Sequence, residues 1–245
     1  MVDIHCHILP DVDDGAETMS DALEMAYLAV SCGVTDLVAT SHIRGSREGL
    51  EETVLHRRQF LSLKEALVRA NISLKLHPGA EVFCTEETSE LAQQRKLPTI
   101  GDSNYVLCEF YFNAPWHHID EILNAIAQAG YRPIIAHPER YDALRQDRRR
   151  IAHLFHAGYV LQVNKGSILG AFGSRVRDTA LWMLEAGFLH LIASDAHSPI
   201  RRTTDLTRLR EFLSDRYLPD YVRLLLEENP GRVIRGEDMV PAEGF

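Results

Sequence analysis

The 245-residue chain contains no stretch near the roughly 18 consecutive apolar residues of a membrane span, and it does not open on a basic segment followed by an apolar one. The expectation is a cytoplasmic protein without membrane insertion. Cysteine is scarce and unpatterned: Cys6, Cys32, Cys84 and Cys108 make no C-x-x-C, and three lie in or against apolar runs. That spacing excludes a disulfide framework and a cysteine-type zinc finger, and it favours buried, reduced thiols. Positive charge is the minority, with 26 basic residues against 35 acidic and a net charge of −9. Such a balance disfavours binding to nucleic acid, where many phosphates must be neutralised, and leaves an excess that bound cations could cancel. Linkers, low-complexity tracts and Pro/Gly-rich hinges are also missing, so one domain over residues 1–245 is the simplest organisation.

What is present is a repeated unit. SCGVTDLVATSH (31–42), QAGYRPIIAHPER (128–140), HAGYVLQVNKG (156–166) and EAGFLHLIASDAH (185–197) each place a small residue and glycine before a Val/Ile/Leu-rich run that ends in polar residues. This pattern predicts a helix stopped by Gly33, Gly130, Gly158 or Gly187 in a left-handed conformation, then a buried strand. Met19, Ala22, Leu23, Ala26, Tyr27 and Val30 form one helical stripe, and Ile122, Leu123, Ile126 and Ala127 another. Further strands are expected at 2–7, around 73–82 and at 105–112, with closing helices at 203–214 and 219–227. Continuous apolar strands alternating with helices predict an α/β fold with a parallel sheet covered on both faces, more consistent with a barrel than an open sheet.

The chemistry collects where these strands end. DIHCH at 3–7 puts His5 and His7 at i and i+2, on one face of an extended strand, followed by Asp13 and Asp14 in DVDDG. Later strands deliver His42, Glu81, Glu109, His137, Asp195 and His197. Each has an ordinary reading: His42 as a loop residue, Glu109 as an arginine's partner, Asp195 as a helix cap. Their recurrence at strand C-termini, where parallel folds build active sites, points instead to one cluster. Five histidines and several carboxylates brought together would repel or lack partners without cations. A His/carboxylate set suits Mn²⁺, Fe²⁺ or Zn²⁺, and a bridging carboxylate suits a multinuclear centre whose chemistry is hydrolysis. The other seven histidines fall outside this pattern, although His117 and His118 in NAPWHH lie where they could border the site.

DIHCH-LP-DVDDG, AT-SH, PG-AEV, CEF, IAHPERY and ASDAH, in this order and spacing, resemble the polymerase-and-histidinol-phosphatase (PHP) superfamily. Within it they resemble the manganese-dependent tyrosine-protein phosphatases of bacterial capsule and exopolysaccharide systems, over residues 1 to about 230. The resemblance implies a distorted (β/α)₇ TIM-like barrel holding three divalent ions, Mn²⁺ before Fe²⁺ or Zn²⁺. It implies one site from His5, His7, Glu81 and Asp195, with Glu81 bridging to a second made with Glu109 and His137. A third combines His42 and His197 with an aspartate of DVDDG, taken as Asp14 in preference to Asp13. It further implies two phosphate-gripping arginines, Arg140 of HPER and Arg202 of SPIRR, where the adjacent Arg201 is an alternative to Arg202.

Cysteine-dependent tyrosine phosphatases need C-x₅-R, but the residues six after the four cysteines are Val12, Val38, Glu90 and Ala114. No thiolate nucleophile is available in that arrangement, so metal-activated water is expected to attack phosphorus in line while Arg140 and Arg202 neutralise charge. A phenolate of pKa about 10 leaves more readily than an alkoxide, which makes a strong general acid dispensable. The expected substrate is a phosphotyrosine protein, by resemblance the tyrosine-rich tail of an autophosphorylating bacterial kinase that controls polysaccharide export. The rival readings are a small-molecule phosphoesterase of the histidinol-phosphatase type, a PHP exonuclease module, and a metal-stabilised regulatory module without turnover.

Overall fold

The computed structural model describes residues 1–242. The strands among them are β1 (Val2–Cys6), β2 (Asp36–Ala39), β3 (His42–Arg44), β4 (Lys75–Pro78), β5 (Glu81–Phe83), β6 (Tyr105–Glu109), β7 (Arg132–Ala136), β8 (Val160–Asn164) and β9 (Leu191–Ala193). They pair in the orders β1-β2-β4 and β3-β5-β6-β7-β8-β9, every ladder parallel. The protein is thus a mixed α/β fold with two parallel sheets. A parallel bridge between Cys6 and Ala196 brings β1 beside the end of β9, where Asp195 N–H donates to His5 O at 2.9 Å.

The repeated unit folds as its glycines dictate. Gly33, Gly130, Gly158 and Gly187 have φ of 95°, 80°, 86° and 71°, the left-handed region that suits a residue without Cβ. They follow the helices Met19–Ser31, Trp116–Gln128, Arg149–His156 and Ser174–Glu185 and lead into β2, β7, β8 and β9. Thr18 starts the first helix with a capping box, accepting from Asp21 N–H at 3.1 Å while its own N–H donates to Asp21 Oδ2 at 3.0 Å. Ile119, Ile122, Leu123 and Ile126 bury the face of the helix Trp116–Gln128.

Several boundaries differ from the sequence pattern. The first helix buries Ala22 and Ala26 of the expected stripe together with Met25 and Ala29, and packs Met19, Leu23 and Val30 partly buried on the core, while Tyr27 is 64% exposed. Where one strand was expected, two short ones form in succession: β2 is followed at once by β3, and β4 is followed by β5, which runs to Phe83. At the second break a Cβ on Gly79 would lie 2.6 Å from Val38 Cγ1, so the two interrupted strands can pass only with glycine there. The stretch 105–112 is strand only to Glu109. The closing helices are Thr207–Ser214 and Pro219–Arg223, the latter continuing through a wide turn into Asn229–Arg235. The helix Arg47–Arg69 carries few buried apolar residues and left no clear periodic signal.

One sheet face explains where the polar residues go. Tyr105 and Leu107 on β6, Ile134 and Ala136 on β7, Val160 on β8, and Leu191 and Ala193 on β9 join one buried apolar cluster. Two residues further on, with the same facing, come Glu109, Gln162 and Asp195. β6, β8 and β9 therefore change from apolar to polar as they reach their C-terminal ends, and β7 is followed directly by His137.

Candidate metal centre

The structure brings together all nine residues singled out as possible ligands. His5 and His7 set their Nε2 atoms 3.2 Å apart, as expected for neighbours on one strand face. Both point at Glu81 Oε2, at 3.1 and 3.2 Å, and at Asp195 Oδ1, at 3.5 and 3.6 Å. The other Glu81 oxygen, Oε1, lies 3.2 Å from His137 Nε2, which is 3.5 Å from Glu109 Oε1. His42 Nδ1 is 3.2 Å from Glu81 Oε2 and 3.3 Å from Glu109 Oε2. Asp14 Oδ1 is 3.4 Å from His197 Nε2 and 3.6 Å from His42 Nε2. Donor groups able to enclose an ion occur as His5–His7–Glu81, His42–Glu81–Glu109 and His7–Asp14–His42–His197.

The two aspartates of DVDDG take different places. Asp13 Oδ2 accepts from His7 Nδ1 at 2.7 Å and from His42 N–H at 2.8 Å, which orients His7 from behind. Asp14 is the one that reaches the cluster. The turn closes over His7 because residue 15 is glycine: a Cβ there would sit 2.2 Å from His7 O.

Depth varies across the cluster. His5, His7, Glu81, His137 and Asp195 are at most 2% exposed, whereas the side chains of His42 and Asp14 are 33% and 66% exposed. Asp13, His42 and Glu109 form one wall of an 880 Å³ cleft whose rim includes Arg44, Phe83, Tyr111 and His118. His118 therefore borders the cleft; His117 is not among its lining residues.

Burial disfavours charge on His7 and His137, but hydrogen bonds to Asp13 and Glu81 in one case, and to Glu109 and Glu81 in the other, overcome it and hold both imidazoles up at about 10. Burial likewise opposes ionisation of Asp195, yet His5 and Arg202 keep its carboxyl down at about 2. The group is a dense acid–base cluster in which carboxylates demand positive charge. Five imidazoles and four carboxylates with converging donor atoms fit a multinuclear divalent centre, in which cations replace the shared protons.

Two arginines stand beside it. Arg202 Nη2 is 2.5 Å and Arg140 Nη1 3.6 Å from Asp195 Oδ2. Arg140 lies between two rings, 4.2 Å from the centre of Phe112 and 4.5 Å from that of Phe172. Arg201 points into solvent. Backbone at the site is unusual: His137, Asp195 and Arg202 have φ of 36°, 50° and 50°.

Sequence reasoning did not single out Gln162, Asn164, Glu139 and Lys165, all buried around the cluster. Lys165 Nζ donates to Asp205 O at 3.0 Å and to Thr203 O, tying down the segment after Arg202. The available signal was two polar residues in the otherwise apolar strand VLQVN.

A parallel α/β scaffold with such a cluster at its strand ends defines the class of α/β proteins built around a metal centre. The capsular polysaccharide synthesis family CpsB/CapC matches residues 1–235, and the chain belongs to that family. It is 31% identical over 237 residues to the tyrosine-protein phosphatase YwqE of Bacillus subtilis, covering 97% of this chain and 92% of YwqE. It is also 31% identical over 240 residues to the tyrosine-protein phosphatase CpsB of Streptococcus pneumoniae, covering 96% and 98%. A crystal structure from a study of YwqE and CpsB, described as unique metal-dependent tyrosine phosphatases, superposes with a TM-score of 0.84 at 31% identity, covering 98% of this chain and 97% of that one.

Proposed function

We propose that this chain is a metal-dependent protein-tyrosine phosphatase of capsular polysaccharide synthesis. The observation that carries the reading is the convergence of nine His/Asp/Glu side chains, seven in groups able to enclose an ion and His137 and Asp195 in direct contact with those groups, with Arg140 and Arg202 held on Asp195 beside them. In this reading His5, His7, Glu81 and Asp195 would hold one ion, Glu81, Glu109 and His137 a second, and Asp14, His42 and His197 a third. Mn²⁺ suits the imidazole-rich set. Divalent ions bound there supply activation of water and neutralisation of phosphoryl oxygens. Arg140 and Arg202 turn from Asp195 toward the entering phosphate, where a planar guanidinium grips two oxygens. Phe112 and Phe172 keep Arg140 aligned, and the exposed ring of Tyr111 offers a surface for the substrate phenyl group.

In the same reading the chain is one PHP-type domain and the two sheets are parts of one distorted seven-stranded barrel. β2 continues as β3, β4 continues as β5, and the Cys6–Ala196 bridge joins the ends. The substrate is the tyrosine-rich tail of a bacterial tyrosine kinase, met in the cytoplasm. Four buried free cysteines fit that reducing compartment, and among the described residues no helix is long and apolar enough to cross a membrane.

The test is a turnover assay on chelator-treated protein, reloaded with Mn²⁺ or Mg²⁺ and offered a phosphotyrosine peptide, histidinol phosphate or single-stranded DNA. Mn²⁺ is expected to restore phosphopeptide hydrolysis at least as well as Mg²⁺. Restoration by Mg²⁺ alone, or preferred turnover of either other substrate, would overturn the reading.

A further inference from the structure

β8 is the one repeat strand that delivers neither histidine nor carboxylate, yet its last residues, Gln162 and Asn164, are fully buried against the centre. Gln162 Oε1 lies 2.8 Å from His5 Nδ1, Gln162 Nε2 lies 2.8 Å from Asn164 Oδ1, and Asn164 Nδ2 contacts Asp195 Oδ2. The polarity of this chain is internally fixed. Asp195 Oδ2 accepts, so Asn164 must present its NH₂ there and its carbonyl to Gln162. Gln162 must then present its NH₂ to Asn164 and its carbonyl to His5. Turning either amide over would create a donor–donor or acceptor–acceptor contact in a buried place. Because Gln162 Oε1 can only accept, His5 carries its hydrogen on Nδ1, leaving the Nε2 lone pair free toward Glu81 and His7. At the other end, Asn164 and the arginines occupy Asp195 Oδ2, leaving Oδ1 to face His5, His7 and His197.

We infer that Gln162 and Asn164 are positioning residues that fix the tautomer of His5 and the usable oxygen of Asp195, so that two ligands contributed by β1 and β9 are set by one relay on β8. Asn164 is itself fastened from below, its backbone N–H donating to the buried Glu139 Oε1 at 3.0 Å. The inference rests on the proposed reading that the centre binds divalent ions.

Mn²⁺ titration of the chelator-treated full chain, without substrate, tests it. Gln162→Met and Asn164→Ala should each bind Mn²⁺ about 10-fold or more weakly. At saturating Mn²⁺ their KM for a phosphotyrosine peptide should stay at the parent value. Gln162→Glu keeps the shape and the acceptor for His5 but loses the donor to Asn164 Oδ1, so its affinity should fall between those of the parent and Gln162→Met; if Gln162→Met does not fold, Asn164→Ala takes its place in the comparison. Parent-like affinity in Gln162→Met and Asn164→Ala would overturn the inference, as would a Gln162→Glu protein no tighter than Gln162→Met. A parent protein that binds no Mn²⁺ would instead overturn the proposed function.

Discussion

The two ends of the parallel strands bury histidines of opposite character. At the N-terminal end, His190 precedes β9, is 7% exposed, and accepts Leu161 N–H on Nδ1 at 3.1 Å; burial alone pushes it down to about 4. At the C-terminal end, His7 and His137 are buried at least as deeply, yet their carboxylate partners hold them up at about 10. Comparable burial thus leaves a neutral ring at one end and, at the other, a cluster whose carboxylates call for positive charge, whether as protons or as bound cations. The partners decide: apolar Phe155 stacks at 4.8 Å on His190, while Glu81 stands at the middle of the charged cluster. A histidine buried in this chain is structural or functional according to the acids it faces.

The largest expected effect comes from breaking the charged end. His137→Ala or Asp195→Ala should reduce phosphatase activity to background and lower bound metal, while far-ultraviolet circular dichroism stays native, because each removes a centre group and little core packing. Near-normal turnover with full metal content would mean that the cluster is not the reacting centre.

A smaller loss is expected from the arginines that answer the cluster's acids. Arg140→Ala should keep its metal but lose about 10²-fold in kcat/KM, since a charge-assisted bidentate contact to phosphate is worth a few kcal/mol in the transition state. Arg140→Lys should recover part of this, keeping charge without the fork, and Arg201→Ala should match the parent. Steady-state kinetics with metal analysis on the same samples measures all three.

The neutral end should show its effect on stability. His190 has a folded pKa of about 4 against a reference of 6.5, so as pH falls the unfolded chain takes up this proton first. Its contribution is intact above about 6.5 and is lost toward 4, by about 3 kcal/mol in all. In His190→Gln that loss should vanish, so the difference between parent and variant in urea-unfolding stability should change across this window. A constant difference would show that His190 does not remain neutral.

Much of this architecture could be read from spacing. Glycine followed by an apolar run and a polar end marked β2, β7, β8 and β9, because helix termination and strand burial both act over a few neighbouring residues. The cluster was legible for the same reason: period two places His5 beside His7, and parallel strands collect their ends. What escaped depends on distant partners. The helix Arg47–Arg69 is too polar to announce its buried face, and Asp14 was preferred to Asp13 without a reason in the spacing, because the difference lies in how Gly15 closes the turn against His7. Gln162 and Asn164 went unassigned because amides carry no charge signature; their place is visible only beside His5 and Asp195.

The left-handed backbone at His137, Asp195 and Arg202 has a consequence for how the sequence can drift. Each position costs an L-residue about 1 kcal/mol or more that glycine would relieve. Glycine has neither an imidazole, a carboxylate nor a guanidinium. Replacing these three residues by glycine would therefore relieve backbone strain while stripping the cluster of an imidazole, a carboxylate and a guanidinium, so loss of the cluster and better folding would arrive by the same substitutions.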